Sequence, residues 1–332
     1  MIVTPAVIVL ILGSWLISGF GAIASVIGWR IIRHWDINSG SEEQLRMERT
    51  TYLVSTILGY LLAAELLSLF LFLHTADTLA SRLIGAMCAA GTLNANPYGY
   101  PTLIVKIVNF ILCGVWLIVN NTDNQAPDYP LIRTKYKLLL AITALLILEA
   151  WWQTQYFGLL KADVITSCCG VQYSTQAKSV AGLLSGLSAY PAKVIFFSSA
   201  ILLVRVGIHV IITGRGGVLY AFLSACFFVY ALCAVIIFIS LYVYEMPSHN
   251  CPFCLLQKEY SHIGYPMYLF LLGGIIPGVA VGGIDRFGAV DSLRNVVAGL
   301  RKRLCLVSMV NYLLFTAVST YAMATSRLFL ST

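Results

Sequence analysis

The sequence predicts an all-α, polytopic integral membrane protein: a helix bundle of about eight transmembrane helices with both termini extracytoplasmic. Three observations predict it. Of 332 residues, 59% are hydrophobic and only 11% are charged, which is too little charge to coat a soluble globular fold. The apolar residues gather into runs, each long enough to cross about 30 Å of hydrocarbon at about 1.5 Å per residue. Lys and Arg concentrate in alternate connections between these runs.

The first run, Pro5 to Gly28, is followed directly by Arg30 and Arg33, and its length marks it as a retained span rather than a cleaved signal peptide. Trp15 falls inside it, whereas Trp29, Trp151, Trp152 and many tyrosines fall near run ends, as an aromatic belt requires. The connection Arg30 to Thr50 has mixed charge and predicts a short surface helix over Ser41 to Arg49, opened by the capping pattern S-E-E-Q. The second to fourth runs are Tyr52 to Leu73, Thr102 to Asn120 and Leu138 to Phe157, with a polar, turn-rich connector at Asn121 to Pro130. The fifth, Val194 to Thr213, is joined to the sixth, Val218 to Tyr244, by a tight turn at Gly214 to Gly217. The seventh, Tyr265 to Ile284, contains Gly273, Gly274, Pro277, Gly278, Gly282 and Gly283, which suit a hinge or close helix contact. The eighth is Leu304 to Ala324, and residues 1–332 read as a single transmembrane domain.

Orientation follows from the cations. One set of connections holds Arg30, Arg33, Arg46, Arg49, Arg133, Lys135, Lys137, Arg215, Arg286, Arg294, Arg301, Lys302 and Arg303; the opposite, longer set holds Arg82, Lys161, Lys178, Lys193, Lys258 and Arg327. The positive-inside rule makes the first set cytoplasmic. The +7 formal charge therefore reports membrane orientation and not a nucleic-acid partner. The outward loops are then 74–101, 158–193 and 245–264, and the expected setting is a bacterial or archaeal cytoplasmic membrane.

The nine cysteines divide accordingly. Cys113, Cys226, Cys233 and Cys305 fall in helices or at their ends, where a thiol behaves as a small hydrophobe. Cys88, Cys168, Cys169, Cys251 and Cys254 fall in outward loops, facing an oxidising compartment in which disulfides persist. The first outward loop predicts a half-helix over Leu79 to Ala90 that ends near Cys88, followed by the turn-rich G-T-L-N-A-N-P-Y-G-Y-P. Cys251 and Cys254 form a Cys-x-x-Cys whose spacing lets both sulfurs meet; a helix N-terminus there would favour a thiolate. A structural disulfide and half of a metal site, completed by His249 and His262, are the other readings of that spacing. The adjacent Cys168 and Cys169 suit a strained, readily reduced disulfide or a soft cation such as Cu(I) or Hg(II). Five outward cysteines cannot all pair internally, so at least one is left to a ligand, a partner or free thiol chemistry.

Ionisable residues inside the spans are the second signal, because a charge in mid-bilayer must be paired or hydrated. Glu65, Lys106, Glu149 and Arg205 are the cases, and they predict a proton relay, an ion path or a structural ion pair. His209 has no companion helix histidine at its depth, which argues against bis-histidine haem; His74, His249 and His262 all fall in the outward set, where they are either solvated or together ligate metal or transfer protons. The chain contains no phosphate-binding glycine loop, no dinucleotide fingerprint and no His-Glu-x-x-His.

The run C-P-F-C-L-L-Q-K at Cys251 to Lys258 resembles the C-P-L-C-x-x-Q-R motif of the DsbB family, and the related vitamin K epoxide reductases, membrane proteins that exchange electrons between envelope thiols and quinone. The resemblance implies that Cys251 and Cys254 are the redox pair at the outer end of a helix, and that Gln257 and Lys258 stand beside a quinone, Lys258 in the place of the family's arginine. It spans about ten residues, and the family's four-helix bundle and well-separated second cysteine pair differ from the eight spans and vicinal cysteines here.

Together these readings predict a thiol–disulfide oxidoreductase. Cys251 and Cys254 would exchange electrons with extracytoplasmic thiols or a thioredoxin-like partner, with Cys88, Cys168 and Cys169 as a second station and quinone as acceptor. A permease or export component for a soft metal (Cu, Hg or Zn) or a thiol compound, and a non-catalytic subunit with structural disulfides beside other membrane subunits, are the alternatives.

Overall fold

A computed structural model describes residues 4–37, 39–161, 165–166, 173, 180–287 and 290–328. Among them are helices α1 (Pro5–His34), α2 (Glu42–Ala80), α3 (Ala89–Leu93), α4 (Gly99–Asp123), α5 (Ile132–Leu159), α6 (Val180–Ser185), α7 (Ala189–Thr213), α8 (Gly217–Tyr244), α9 (Gly264–Asp285) and α10 (Arg294–Thr325). No β-strand occurs among the described residues. All but α3 and α6 contain a stretch long and apolar enough to cross a membrane, eight candidate spans in all.

Several helices run past the apolar stretches that announce them, and local chemistry shows why. Pro5 supplies a preset φ at the first turn of α1, and Thr4 Oγ1 accepts the Val7 N–H at 3.3 Å. The surface helix expected at Ser41 to Arg49 is instead the opening of α2, which continues unbroken to Ala80. Ser41 Oγ accepts the Gln44 N–H at 3.3 Å, so the cap is real, but nothing breaks the helix before the span begins. Likewise the cationic residues Arg294 and Arg301 to Arg303 are helical, in the opening turns of α10. The turn between α7 and α8 is as tight as its glycines predict: Gly214 and Gly216 take φ of +70° and +92°, the left-handed region that favours glycine.

The described residues form two compact units: those within 1–75, 95–162 and 287–297 make the first, and those within 76–94, 163–286 and 298–332 the second. The first unit is centred on buried Leu58, Leu62, Trp116, Tyr136, Leu139 and Ile142. Small polar residues hold α1 against α5: Ser18 Oγ donates to Leu146 O, Ser25 Oγ to Thr143 Oγ1, and Gln153 Nε2 to Leu10 O. Trp15, mid-span by sequence, is 45% exposed, and its indole N–H reaches Thr154 Oγ1 at 3.0 Å on the neighbouring helix.

The second unit packs aromatic rings, with Phe196 against Phe227, Phe238 and Phe315. The glycines of α9 serve close helix contact. Ser224 Oγ lies where a Gly278 side chain would start, and a Cβ on Gly282 would meet Ala221 Cβ at 2.6 Å. Gly278→Ala should therefore cost about 1–3 kcal/mol by overpacking, measurable as a lower midpoint of thermal unfolding in detergent.

Candidate functional site: a buried cysteine cluster

Three segments of the second unit build this site. Beyond the end of α2 the chain turns through Gly85, at φ +87°, and the Thr166 N–H donates to Ile84 O at 3.0 Å. Thr166 Oγ1 also donates to Gly91 O at 2.8 Å. Asp77 Oδ1 accepts the Ala89 N–H at 3.1 Å, which helps fix the start of α3. Cys88 is the residue preceding α3, so the expected half-helix ending near Cys88 is replaced by a turn and a new short helix that begins after it. The physical reason is Gly85, whose left-handed backbone cannot continue a right-handed helix.

The second segment begins at a π-helical turn in α8, Val235–Ile239. Such a turn disturbs the usual i to i−4 ladder, and Asn250 Nδ2 donates to Ile236 O at 2.8 Å. That bond anchors the residue immediately before Cys251. Tyr244 OH donates to Cys251 O, and Tyr268 OH donates to Pro252 O at 2.6 Å. Beyond Cys254 the chain makes two 3-10 turns, Cys254–Leu256 and Lys258–Tyr260, rather than an α-helix. The helix-dipole activation expected for the pair therefore lacks its helix.

The third segment returns the chain to α9. Ser261 and His262 both adopt left-handed φ, 53° and 54°, and the His262 Nδ1 group bonds Leu256 O at 2.6 Å. Gly264 lies so close to Leu255 that a Cβ would sit 2.8 Å from its carbonyl carbon. Gln257 Nε2 donates to Met87 O at 2.6 Å, tying the Cys-x-x-Cys segment to the residue before Cys88.

The result is a compact set of three sulfurs. Cys88 Sγ lies 3.6 Å from Cys251 Sγ, and the sulfurs of Cys88, Cys251 and Cys254 all lie within 4.8 Å of one another. The three residues are 0%, 1% and 3% exposed, while the intervening Pro252 and Phe253 are partly exposed. Sequence alone brought the Cys-x-x-Cys together; the arrival of Cys88, 163 residues away, is a tertiary event. The Gly85→Ala variant should disturb it, because Thr166 O occupies the space of the new methyl and the left-handed backbone costs about 1–2 kcal/mol. Thermal unfolding and the alkylation rate of Cys88 would both register the change.

The other sequence candidates separate. Cys168 and Cys169 lie outside the described residues. His249 stacks edge-on against Tyr244, with ring centres 4.6 Å apart, and neither it nor His262 belongs to the cysteine cluster. Lys258, Arg205 and His74 have exposed side chains.

In the first unit, Glu65, Lys106 and Glu149 do converge. Lys106 Nζ lies 2.6 Å from Glu149 Oε1, 3.4 Å from Glu65 Oε1 and 2.9 Å from Ser68 Oγ. Ser68 Oγ donates to Glu65 Oε1 at 2.7 Å, and Asn109 Nδ2 to Glu149 Oε2 at 2.6 Å. Arg205 belongs to the second unit and does not join them. A second ion pair escaped the sequence reading: Lys135, counted there among loop cations, is fully buried with Asp123 at 2.9 Å. The only sequence signal was an aspartate at the end of one span and a lysine just before the next.

Comparison with protein-family models, curated proteins and solved structures finds no match for this chain, so the reading of the site rests on its own chemistry.

Proposed function

We propose that the protein is a membrane thiol–disulfide oxidoreductase in which Cys251 is the central sulfur, Cys254 its partner and Cys88 the exchanging third thiol. The observation that carries this reading is the 3.6 Å approach of Cys88 Sγ to Cys251 Sγ, with Cys254 in the same cluster. From a Cys251–Cys254 disulfide, attack by the Cys88 thiolate on Cys251 forms Cys88–Cys251 and releases Cys254 as a thiol. One S–S bond forms as one breaks, so the disulfide moves within the cluster without net oxidation. Oxidation of an external dithiol delivers two electrons and two protons to the disulfide. A membrane quinone, reduced to quinol, is the acceptor that regenerates it.

The burial of all three sulfurs bears on the donor. A folded thioredoxin-like protein reaches them only if the segment carrying Pro252 and Phe253 gives way, whereas a small thiol needs less displacement. On this reading the cysteine loops face the extracytoplasmic side, as the distribution of Lys and Arg favours.

Ligation of a soft cation is the second reading, because three sulfurs within 4.8 Å also suit a trigonal thiolate site. Charge weighs against it. Ligating sulfurs must lose their protons, and three thiolates around Cu(I) leave two net negative charges in a buried setting, where uncompensated charge is costly. Thiols and disulfides are neutral at rest.

The test is a differential alkylation map of the full chain in lipid, before and after a quinone analogue, with metal analysis of the reduced protein. Protection of Cys251 with either Cys254 or Cys88 after quinone supports the proposal. An unchanged map, or stoichiometric Cu or Zn lost on Cys88→Ser, overturns it.

A further inference from the structure

The polar cluster of the first unit has a charge imbalance that its neighbour lacks. Asp123 and Lys135 pair one to one. Glu65 and Glu149 share the single ammonium of Lys106, so with every group ionised one negative charge remains. Glu65 is 2% exposed, Glu149 and Lys106 1% each, and Asn109 is fully buried. An unbalanced charge at such a position is strongly disfavoured.

Two atoms mark where the missing charge belongs. Glu65 Oε2 and Asn109 Oδ1 are buried and make no hydrogen bond, although the other oxygen of Glu65 and the amide nitrogen of Asn109 are both engaged within the cluster. Buried acceptors normally find a donor or a cation. Both unpartnered atoms are oxygens, so a positive ligand fits and an anion does not. Phe72 closes the cluster above Lys106, with its ring centre 5.7 Å from the ammonium.

Among the described residues, no other charged group supplies the balance from the packed helices. The part of α1 that faces α5 offers Ser14, Ser18 and Ser25, and α1 contains no titratable residue between Pro5 and Trp29. On α4 the nearest titratable groups are Tyr100 and Cys113, and on α5 it is Tyr156, whose hydroxyl is itself buried; none of them is a cation. On α2, Tyr60 and His74 have exposed side chains. Lys135 lies 14 residues from Glu149 along α5, about 21 Å away, and is already paired.

We infer that the Glu65–Lys106–Glu149 cluster binds one further unit of positive charge, as a proton or a sodium ion, at its unpartnered oxygens, Glu65 Oε2 foremost. A proton on Glu65 converts an orphaned acceptor into a donor. A sodium ion takes an unpartnered oxygen as a ligand. Either makes the cluster neutral and gives the first unit a cation-binding site of its own, independent of the thiol chemistry of the second.

The experiment uses the full-length protein in lipid nanodiscs at neutral pH, in potassium buffer without sodium. Infrared spectroscopy reads the carbonyl stretch of a neutral carboxylic acid, and thermal unfolding is compared with and without added sodium. A carboxylic-acid band that shifts in D2O, is lost in both Glu65→Gln and Glu149→Gln and survives in Asp123→Asn identifies the proton. No such band, but a rise in Tm with sodium over equal potassium that both glutamine variants lose, identifies sodium. The wild-type protein gives both readouts if a variant fails to fold. A wild-type protein with neither signal, or a signal that persists in both glutamine variants, overturns the inference.

Discussion

Replacing Cys251 with serine should abolish dithiol oxidation coupled to quinone, leaving the uncatalysed background. Cys251 is the sulfur in contact with Cys88 and shares the Cys-x-x-Cys with Cys254, so its loss removes both disulfides of the proposed exchange. Cys88→Ser should differ in kind. On the proposed mechanism it leaves the Cys251–Cys254 pair able to form and be reduced once but removes the internal exchange, so a single turnover should persist while steady-state turnover falls. Stopped-flow reduction followed by steady-state assay separates the two. Equal and complete loss of the first turnover in both variants would assign Cys88 to the entry step instead. Serine is nearly isosteric with cysteine, but both sites are buried and a hydroxyl left unpartnered there costs about 1–3 kcal/mol, so Tm should fall by a similar modest amount in the two variants and does not account for a difference in turnover.

Lys106→Met should destabilise the first unit by about 3–5 kcal/mol, because it leaves the buried Glu65 and Glu149 without their shared ammonium. The methionine side chain fills most of the volume, so the loss is electrostatic rather than a cavity effect. The triple variant Glu65→Gln/Lys106→Met/Glu149→Gln removes every charge and should recover much of the stability. Unfolding in mixed micelles with increasing sodium dodecyl sulfate, followed by helicity, gives the order wild type, triple variant, Lys106→Met. If the single substitution proved as stable as wild type, the cluster would have to be hydrated, contrary to its burial.

Some of these features were legible in the chain itself. Eight apolar runs became eight candidate spans because hydrocarbon thickness dictates run length without reference to neighbours. The Gly214 to Gly217 turn was equally local, since left-handed backbone has a residue signature. Span boundaries were less legible: polar helix such as Glu42 to Arg49 carries no hydrophobic mark, and only the unbroken backbone shows that it belongs to α2. Glu65, Lys106 and Glu149 were conspicuous one by one as charges in apolar runs. Their convergence, and the buried Asp123–Lys135 pair at the run ends, depend on how α2, α4 and α5 rotate about their axes.

The cysteines divide along the same line. That the chain is a helical membrane protein with a Cys-x-x-Cys in a loop was determined by sequence alone, because composition, run length and four-residue spacing are local properties. That Cys88 is the third sulfur was decided only by tertiary structure. Nothing near Cys88 in sequence points to Cys251. What joins them is a set of long-range bonds, among them Gln257 to Met87, Asn250 to Ile236 and Thr166 to Ile84, and such bonds exist only once the loops have packed.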